Sequence, residues 1–206
     1  MGKKWEKWER VFFTVQPKQR IAYPGKGRLS AEAAGLLQQI DIPLACGRQL
    51  YSSRGRFESV ALRAQDIPFL VQQGAVDFGI TGLDLVLETQ ADVVECARLP
   101  FGFCKLVLAA PAGMDMGALD CPRIATSFPN LTRAFLQESG LDVEMVLMSG
   151  SVEAAVRLGV ADAVVDLVQT GTTLKENGLM PLQTLLSSCA VLIANRNAPD
   201  PSWLYA

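Results

Sequence analysis

The 206-residue sequence contains no histidine. That absence removes Ser-His-Asp and Cys-His catalysis and every imidazole metal ligand at once. Any chemistry must run on Arg, Lys, Asp, Glu, Thr and backbone amides. The five cysteines, at 46, 96, 104, 121 and 189, form no Cys-x-x-Cys pair, and their odd number leaves no complete disulfide framework. That usage fits the reducing cytoplasm. No apolar run approaches the ~18 residues that read as a membrane span, so no membrane association is expected. The run from Val11 to Val15 is too short for a signal-peptide core. Glu6 stands where a myristoylation signal begun at Gly2 would need Ser or Thr. A net charge of -2 argues against general nucleic-acid binding. Positive charge toward an anionic ligand must therefore be local.

Half of the residues are hydrophobic and 19% are charged, enough to bury a core as one large domain or two small lobes. From Arg20 onward, short apolar runs pass through Gly-rich or polar turns into helical patterns, the mark of an α/β protein with a largely parallel sheet. Strands are predicted at 20–23, 59–62, 76–80, 93–97, 105–109, 123–126, 143–147, 163–167 and 190–194. Helices are predicted to start at Ser30, Asp66, Leu83, Asn130, Ser151 and Thr172. Ser30, Asp66 and Ser151 are suited to cap their helices, and Pro68 to sit in a first turn. Gly74 and Gly140 fall where helices should stop. The segment 111–122, rich in Gly, Pro, Asp and Met, reads as a connecting loop.

Three clusters carry possible chemistry. In the run Val164 to Thr173, a buried strand ends at Asp166 and is followed by Thr170-Gly171-Thr172-Thr173, a small-residue turn opening a helix. Backbone amides, Thr hydroxyls and the close approach allowed by Gly171 suit a phosphate monoester, with Asp166 placed for ribose hydroxyls. A Thr-capped helix is the plainer reading of the turn alone; the preceding acid favours the phosphate site. The second cluster is Lys26-Gly27-Arg28, at a strand end leading into a helix, which suits a polyphosphate or is simply an exposed basic turn. The third is Arg48, Arg54 and Arg56, which a solvated loop would also explain.

The 164–173 run resembles in part the phosphoribosyl-diphosphate loop of type I phosphoribosyltransferases, although Val165 stands where that class has its first acid. A better match is the ATP phosphoribosyltransferase family, whose spaced signature falls on Glu153, Gly159, Ala161, Asp166, Thr170, Gly171, Thr173 and Leu174. The Lys-Gly-Arg turn of that family matches Lys26, Gly27 and Arg28. Arg48 matches the arginine of its Arg-Lys pair; Gln49 replaces the lysine, and Arg54 or Arg56 is expected to supply that cation. Residues 63–84 and the Phe101-Gly102-Phe103-Cys104 run are also similar to the family. There Thr81, Gly82 and Asp84 are expected at a cleft, and Cys104 near a nucleotide.

The resemblance implies two α/β lobes of the periplasmic-binding-protein type II class with the active site in the cleft between them. Residues 1–98 plus 179–206 are expected to form the first lobe and 99–178 the second. It implies condensation of ATP with phosphoribosyl diphosphate, the opening step of histidine biosynthesis. Arg28, Arg48 and Asp166 would act in catalysis, and Glu153 with Thr170 to Thr173 would bind phosphoribosyl diphosphate. Lys26, Gly27, Thr81, Gly82, Asp84 and Cys104 would line the ATP or diphosphate site. Mg²⁺ is expected largely on substrate oxygens. The catalytic chains are expected to pair as a homodimer and to join a regulatory subunit resembling histidyl-tRNA synthetase, since the chain runs only a short way past Asn195. A small-ligand binding or sensor domain of the same fold is the alternative. Its usual companions, an export signal or a DNA-binding helix-turn-helix, are not visible in the sequence.

Overall fold

The computed structural model describes residues 18–119, 121–140, 142–201 and 203. The readings made for Gly2, Glu6 and the 11–15 run lie outside the described residues. Two sheets organise the chain. The first has the order β2-β3-β1-β4-β11-β5 and the second β10-β6-β9-β7-β8.

The first sheet is built from β1 (Gln19–Pro24), β2 (Tyr51–Arg54), β3 (Phe57–Leu62), β4 (Phe78–Gly82), β5 (Val94–Arg98) and β11 (Ala190–Ala194). Around it pack α1 (Ser30–Gln39), α2 (Ile67–Gln72) and α3 (Leu83–Thr89). Strands β4 and β11 are buried along their whole length, which is why they read as continuous apolar runs rather than alternating ones. Side chains of β1, β4 and β11 divide by parity. Ile21, Phe78, Ile80 and Leu192 join Leu37 and Trp203 on one face. Ala22, Val191 and Ile193 meet Ile67 and Val71 of α2 on the other.

The second sheet contains β6 (Cys104–Pro111), β7 (Arg123–Thr126), β8 (Glu144–Leu147), β9 (Ala163–Val168) and β10 (Leu179–Ser188), with α4 (Pro129–Ser139), α5 (Glu153–Arg157) and α6 (Thr172–Glu176). The same parity holds here: Leu106, Leu108, Ile124 and Val165 face one cluster, and Val107, Ala109, Ala125 and Val164 the other.

The sheets are mixed, not largely parallel. Pairs β1–β3, β1–β4, β7–β8 and β7–β9 are parallel. Pairs β2–β3, β4–β11, β5–β11, β6–β10 and β6–β9 are antiparallel. The β2–β3 pair is a hairpin closed at Gly55–Arg56; the other antiparallel pairs follow from the way the chain changes lobes. It leaves the first sheet after β5, enters the second through β6 and returns through β10 and β11. A strand arriving from the other lobe starts at the junction and runs away from it, opposite to its βα-type neighbours. The carboxyl ends of β1, β4, β7 and β9 consequently face one cleft, where ligands of such sheets bind.

Two strands were not foreseen. β2 is a short, mostly exposed edge, and β10 is interrupted at Pro181/Gln183 and Thr184/Leu186, so neither shows alternation. Expected in the first lobe, residues 179–188 are hydrogen-bonded to β6 from Leu179↔Pro111 to Ser188↔Cys104. The return to the first sheet therefore starts only at Ala190. The capping expectations also fail. The residues ahead of the three helices, Leu29, Asp66 and Val152, already have helical dihedrals, and no side chain caps any of them. A cap needs an extended residue that lets its side chain fold back. Pro68 and the left-handed glycines 74 and 140 stand where expected. No helix of the described residues is long and apolar enough to cross a membrane.

Helix α2 lies directly on β4 at Gly79, where an added Cβ would come within 2.4 Å of Ile67 Cγ2 and 2.9 Å of Val71 Cγ2. Gly79→Ala should therefore lower stability by about 1–3 kcal/mol through overpacking. Gly35→Ala, in α1 with nothing within 4 Å, should gain up to about 1 kcal/mol. Urea unfolding followed by circular dichroism measures both, and equal midpoints for the two variants would contradict this packing.

Candidate active site

Strand β1 ends at Pro24, and the chain turns through Gly25 and Gly27 into α1. Gly25 lies so close to β3 that a Cβ would sit 3.1 Å from that of Ala61, and Gly27 takes φ +88°. The turn delivers Arg28 to the junction of the lobes. One guanidinium nitrogen of Arg28 bonds both oxygens of Asp84, at 3.0 and 3.3 Å. Another donates to the Gly102 carbonyl. Asp84, in the first turn of α3, is fully buried. Its Oδ1 also accepts the Ser188 hydroxyl at 2.5 Å, and its own N–H donates to that hydroxyl oxygen at 3.0 Å. A buried carboxylate needs such compensation, because desolvation alone would make it costly.

Gly82 and Gly102 make room for this network. A Cβ on Gly82 would fall 2.5 Å from Asp84 Oδ1 and 3.1 Å from Arg28 Nη2. A Cβ on Gly102, at φ +67°, would fall 2.2 Å from Leu29 Cδ2. Gly82 thus lacks a side chain for a steric reason, and Asp84 stands as the partner of Arg28.

On the second lobe, β9 ends in Asp166-Leu167-Val168, and a turn carries Thr170 and left-handed Gly171 into α6. The hydroxyls of Thr170 and Thr172 lie 3.0 Å apart, and Thr170, Thr172 and Thr173 are exposed. A cavity of about 270 Å³ is lined by Arg28, Glu153, Asp166, Thr170, Gly171 and Thr173 among others. Residues 138 positions apart in sequence, Arg28 and Asp166, thus share one space. Burial pushes the Asp166 carboxyl up from 3.8 to about 6; the neighbouring charge of Glu153 adds to this, and the Leu167 backbone N–H opposes it.

A second cavity, about 460 Å³, adjoins Lys26, Arg28, Arg63, Asp84 and Leu167. A third, about 520 Å³, is lined by Lys26, Arg48, Arg63 and Asp66. Lys26 and Arg63 belong to both, so the cations form a continuous strip along the carboxyl ends of β1 and β3. Arg54 and Arg56, the expected replacements for a missing lysine, are not on this strip. Arg54 pairs with Asp41, and Arg56 stacks over the Phe57 ring at 4.8 Å. Arg63 stands there instead; in sequence its signal is only a position, just past a strand end.

Thr81, also expected at the cleft, is fully buried and donates its hydroxyl to the Ala64 carbonyl at 2.7 Å. It fastens the Ala64–Asp66 turn beside Arg63. Cys104 is buried next to the same network. Burial raises its thiol pKa, and the Arg28 charge only partly offsets that. A protonated, packed thiol is not a nucleophile. Ser188, which joins Asp84 to the return crossover, gave no sequence signal, since a lone serine in an irregular strand looks like any turn residue.

Comparisons with known proteins converge on one group. The ATP phosphoribosyltransferase family model matches residues 63–202. The chain is 43% identical over 187 residues to the ATP phosphoribosyltransferase of Methanopyrus kandleri, covering 87% of this chain and 66% of that protein. With the Thermococcus kodakarensis ATP phosphoribosyltransferase it shares 41% identity over 177 residues, 84% of this chain and 86% of the relative. The chain spans 63–66% of the length of the first few curated relatives it matches. Among solved structures, the Thermotoga maritima ATP phosphoribosyl transferase (HisG:HisZ) complex superposes with a TM-score of 0.78 at 29% identity, covering 86% of this chain and 87% of that one. A protein bound to L-arginine, with a TM-score of 0.61 at 14% identity over 91% of this chain and 81% of its own, shares the two-lobed fold alone. The family match covers most of the chain and includes β9, the Thr170 turn, Arg63 and Asp84. The chain belongs to the ATP phosphoribosyltransferase family.

Proposed function

We propose that the chain joins ATP to phosphoribosyl diphosphate, forming N1-(5-phosphoribosyl)-ATP and pyrophosphate, the first step of histidine biosynthesis, in the cytoplasm. The observation that carries this reading is the single cavity shared by Arg28 of the first lobe and the Asp166 and Thr170–Gly171 turn of the second. In the reaction adenine N1 bonds to the anomeric carbon while the bond from that carbon to the diphosphate oxygen breaks. Positive charge builds on the ribose and negative charge on the departing group, and no strong base is needed. A site without histidine suits such a displacement, since fixed charges and positioning supply most of the catalysis.

In this reading the turn amides and the hydroxyls of Thr170, Thr172 and Thr173 hold the 5′-phosphate, with Glu153 beside them. Ionised Asp166 accepts the ribose hydroxyls. Arg28, held by Asp84, donates to the departing diphosphate, and Arg48 supplies a second cation across Lys26. Lys26 and Arg63 face the phosphates of ATP, and Gly27, Gly82 and Cys104 shape that side of the cleft. Among the described residues no three His, Cys, Asp or Glu converge. The strip of cations offers donors to phosphate, which fits Mg²⁺ carried on diphosphate oxygens. Bound there, the ion would neutralise part of the leaving charge.

A regulatory subunit resembling histidyl-tRNA synthetase is the proposed partner, supported by the likeness to a chain of the Thermotoga HisG:HisZ complex. Exposed apolar side chains such as Leu147 and Leu158, 65% and 76% exposed, support a homodimer of catalytic chains.

Pyrophosphate release on mixing the chain with phosphoribosyl diphosphate and ATP tests the reaction, with free adenine as the control acceptor; release with adenine but not ATP would refute it. Arg28→Ala should lose on the order of 10²–10³ in turnover while staying folded, as for removal of one preorganised donor. Unchanged turnover at saturating substrates would move Arg28 out of the mechanism.

Asp166 gives a pH prediction with a definite sign. Its folded pKa, about 6, lies above the ordinary 3.8. Between those values the folded state keeps a proton that the unfolded state releases, so stability falls as pH rises toward 6 and is level beyond it. Asp166→Asn should therefore melt higher than wild type at pH 8, the difference vanishing near pH 3.8. A melting difference independent of pH would refute the assignment.

Mixing the purified chain with the regulatory subunit should raise the mass seen by light scattering and make turnover sensitive to histidine. Strong histidine inhibition of the lone chain, with no mass gain on mixing, would exclude the partner.

A further inference from the structure

Helix α3 touches both lobes, and it does so at both ends. Its first turn carries Asp84, bound to Arg28 of the first lobe and to Ser188 at the return crossover. Its last turn carries Glu88. The Glu88 carboxylate accepts the backbone N–H of Asn130 through one oxygen and that of Leu131 through the other, each at 2.9 Å. The Asn130 side-chain amide donates back to the Glu88 carbonyl at 2.8 Å.

Asn130 and Leu131 lie in the first turn of α4, where amides lack partners within the helix. The residue preceding α4 is Phe128, and no side chain at that position caps the helix. The cap comes from the other lobe, 42 residues earlier in sequence. A carboxylate there satisfies two amides and meets the positive end of the helix dipole. Leu85, between the two ends of α3, packs against the second lobe's apolar cluster beside Leu131.

These contacts have mechanical consequences. The chain crosses between the lobes at 99–103 and again at Ser188–Cys189, and these two segments lie together at the Arg28–Asp84 pair. They form a pivot, about which one lobe could turn. Glu88 lies one helical turn, about 5–6 Å, farther along α3 than Asp84. A pivot together with a second fixed point sets an angle.

We propose that Glu88 is a positioning residue for the cleft. By capping α4 it fixes the angle between the lobes, and with it the separation of Arg28 from Asp166 and the Thr170 turn. Its effect on turnover rests on the reaction proposed above; its effect on the lobe angle does not. The phosphoribosyl-diphosphate turn lies wholly in the second lobe and keeps its shape when the angle changes. Loss of the clamp should then spare the turn's hold on the 5′-phosphate and impair the step that needs both lobes.

The chain carries the probes for a direct test. Cys46 in the first lobe and Cys121 in the second are exposed, while Cys104 and Cys189 are buried. In a Cys96→Ser background, spin labels on Cys46 and Cys121 report the interlobe distance by pulsed electron resonance. Glu88→Ala should shift or broaden that distance distribution. Glu88→Gln, which keeps one acceptor oxygen for one of the two amides, should do so less. Turnover of unlabelled Glu88→Ala should fall on the order of 10–100-fold, the scale of a small misplacement of reacting groups. Its affinity for ribose 5-phosphate, which lacks the diphosphate that Arg28 meets, should change little by calorimetry, and its circular dichroism should match wild type. If Glu88→Ala fails to fold, Glu88→Gln carries the test. A distance distribution identical to wild type would overturn the clamp, whatever the activity. A shifted distribution with wild-type turnover would overturn the positioning role. Absence of turnover in wild type itself would count against the proposed reaction, and the distance measurement would still decide the clamp.

Discussion

The ion pair of Arg28 with Asp84 is the contact on which the rest of the site depends. It forms at the one place where the β1–α1 turn, the start of α3 and both crossovers meet. Each neighbour is shaped to it: Gly82 has no room for a Cβ, and Gly102 gives its carbonyl. Ser188 completes the carboxylate's bonds. A guanidinium held in this way loses little freedom when an anion arrives, so its charge is available without reorganisation. The 18% of the Arg28 side chain left exposed opens toward the cavities.

A site without histidine has to distribute its work. Among the described residues Lys26, Arg48 and Arg63 form a strip of charge in no fixed pairing, suited to a flexible polyphosphate. Asp166 is the opposite case, a half-buried carboxyl whose burial raises its pKa. The two lobes thus differ in kind, one presenting cations and the other a turn of amides and hydroxyls with an acid beneath it. Neither side holds the full set of groups, which makes the angle between them part of the chemistry.

Most of the strands were legible in the sequence because their apolar runs were unbroken; 123–126 and 190–194 fall on the residues predicted. What was not legible depended on partners far away in sequence. β10 carries Pro181 and two irregularities, so its pairing with β6 shows only in three dimensions. Capping residue types predict the helix starts, yet Leu29 is already helical before Ser30, and Ser151 takes a left-handed φ of +51°, so neither serine caps its helix. At the site, residue types were right where a turn enforces geometry, as at Lys26-Gly27-Arg28 and the Thr170 turn. Thr81 turned inward to Ala64 because a strand's alternation, not its composition, chooses the face. Arg63 takes its significance from Lys26, Ser188 from Asp84 and Glu88 from Asn130, each far away in sequence, which no local pattern encodes.

The position of β11 has a consequence for how the molecule is made. This strand lies between β4 and β5 in the interior of the first sheet, yet it is the last of the eleven strands of the described residues in chain order. The second sheet, by contrast, uses one unbroken stretch from Cys104 to Ser188. On a ribosome, the second lobe can close while the first still has a gap between two strands formed much earlier. Joining strands so distant in sequence carries a large loop-closure cost and is slow. Until Ala190–Ala194 emerges, the facing edges of β4 and β5 stay unpaired, and that interval is when the nascent chain is most exposed to misassociation and most in need of a chaperone.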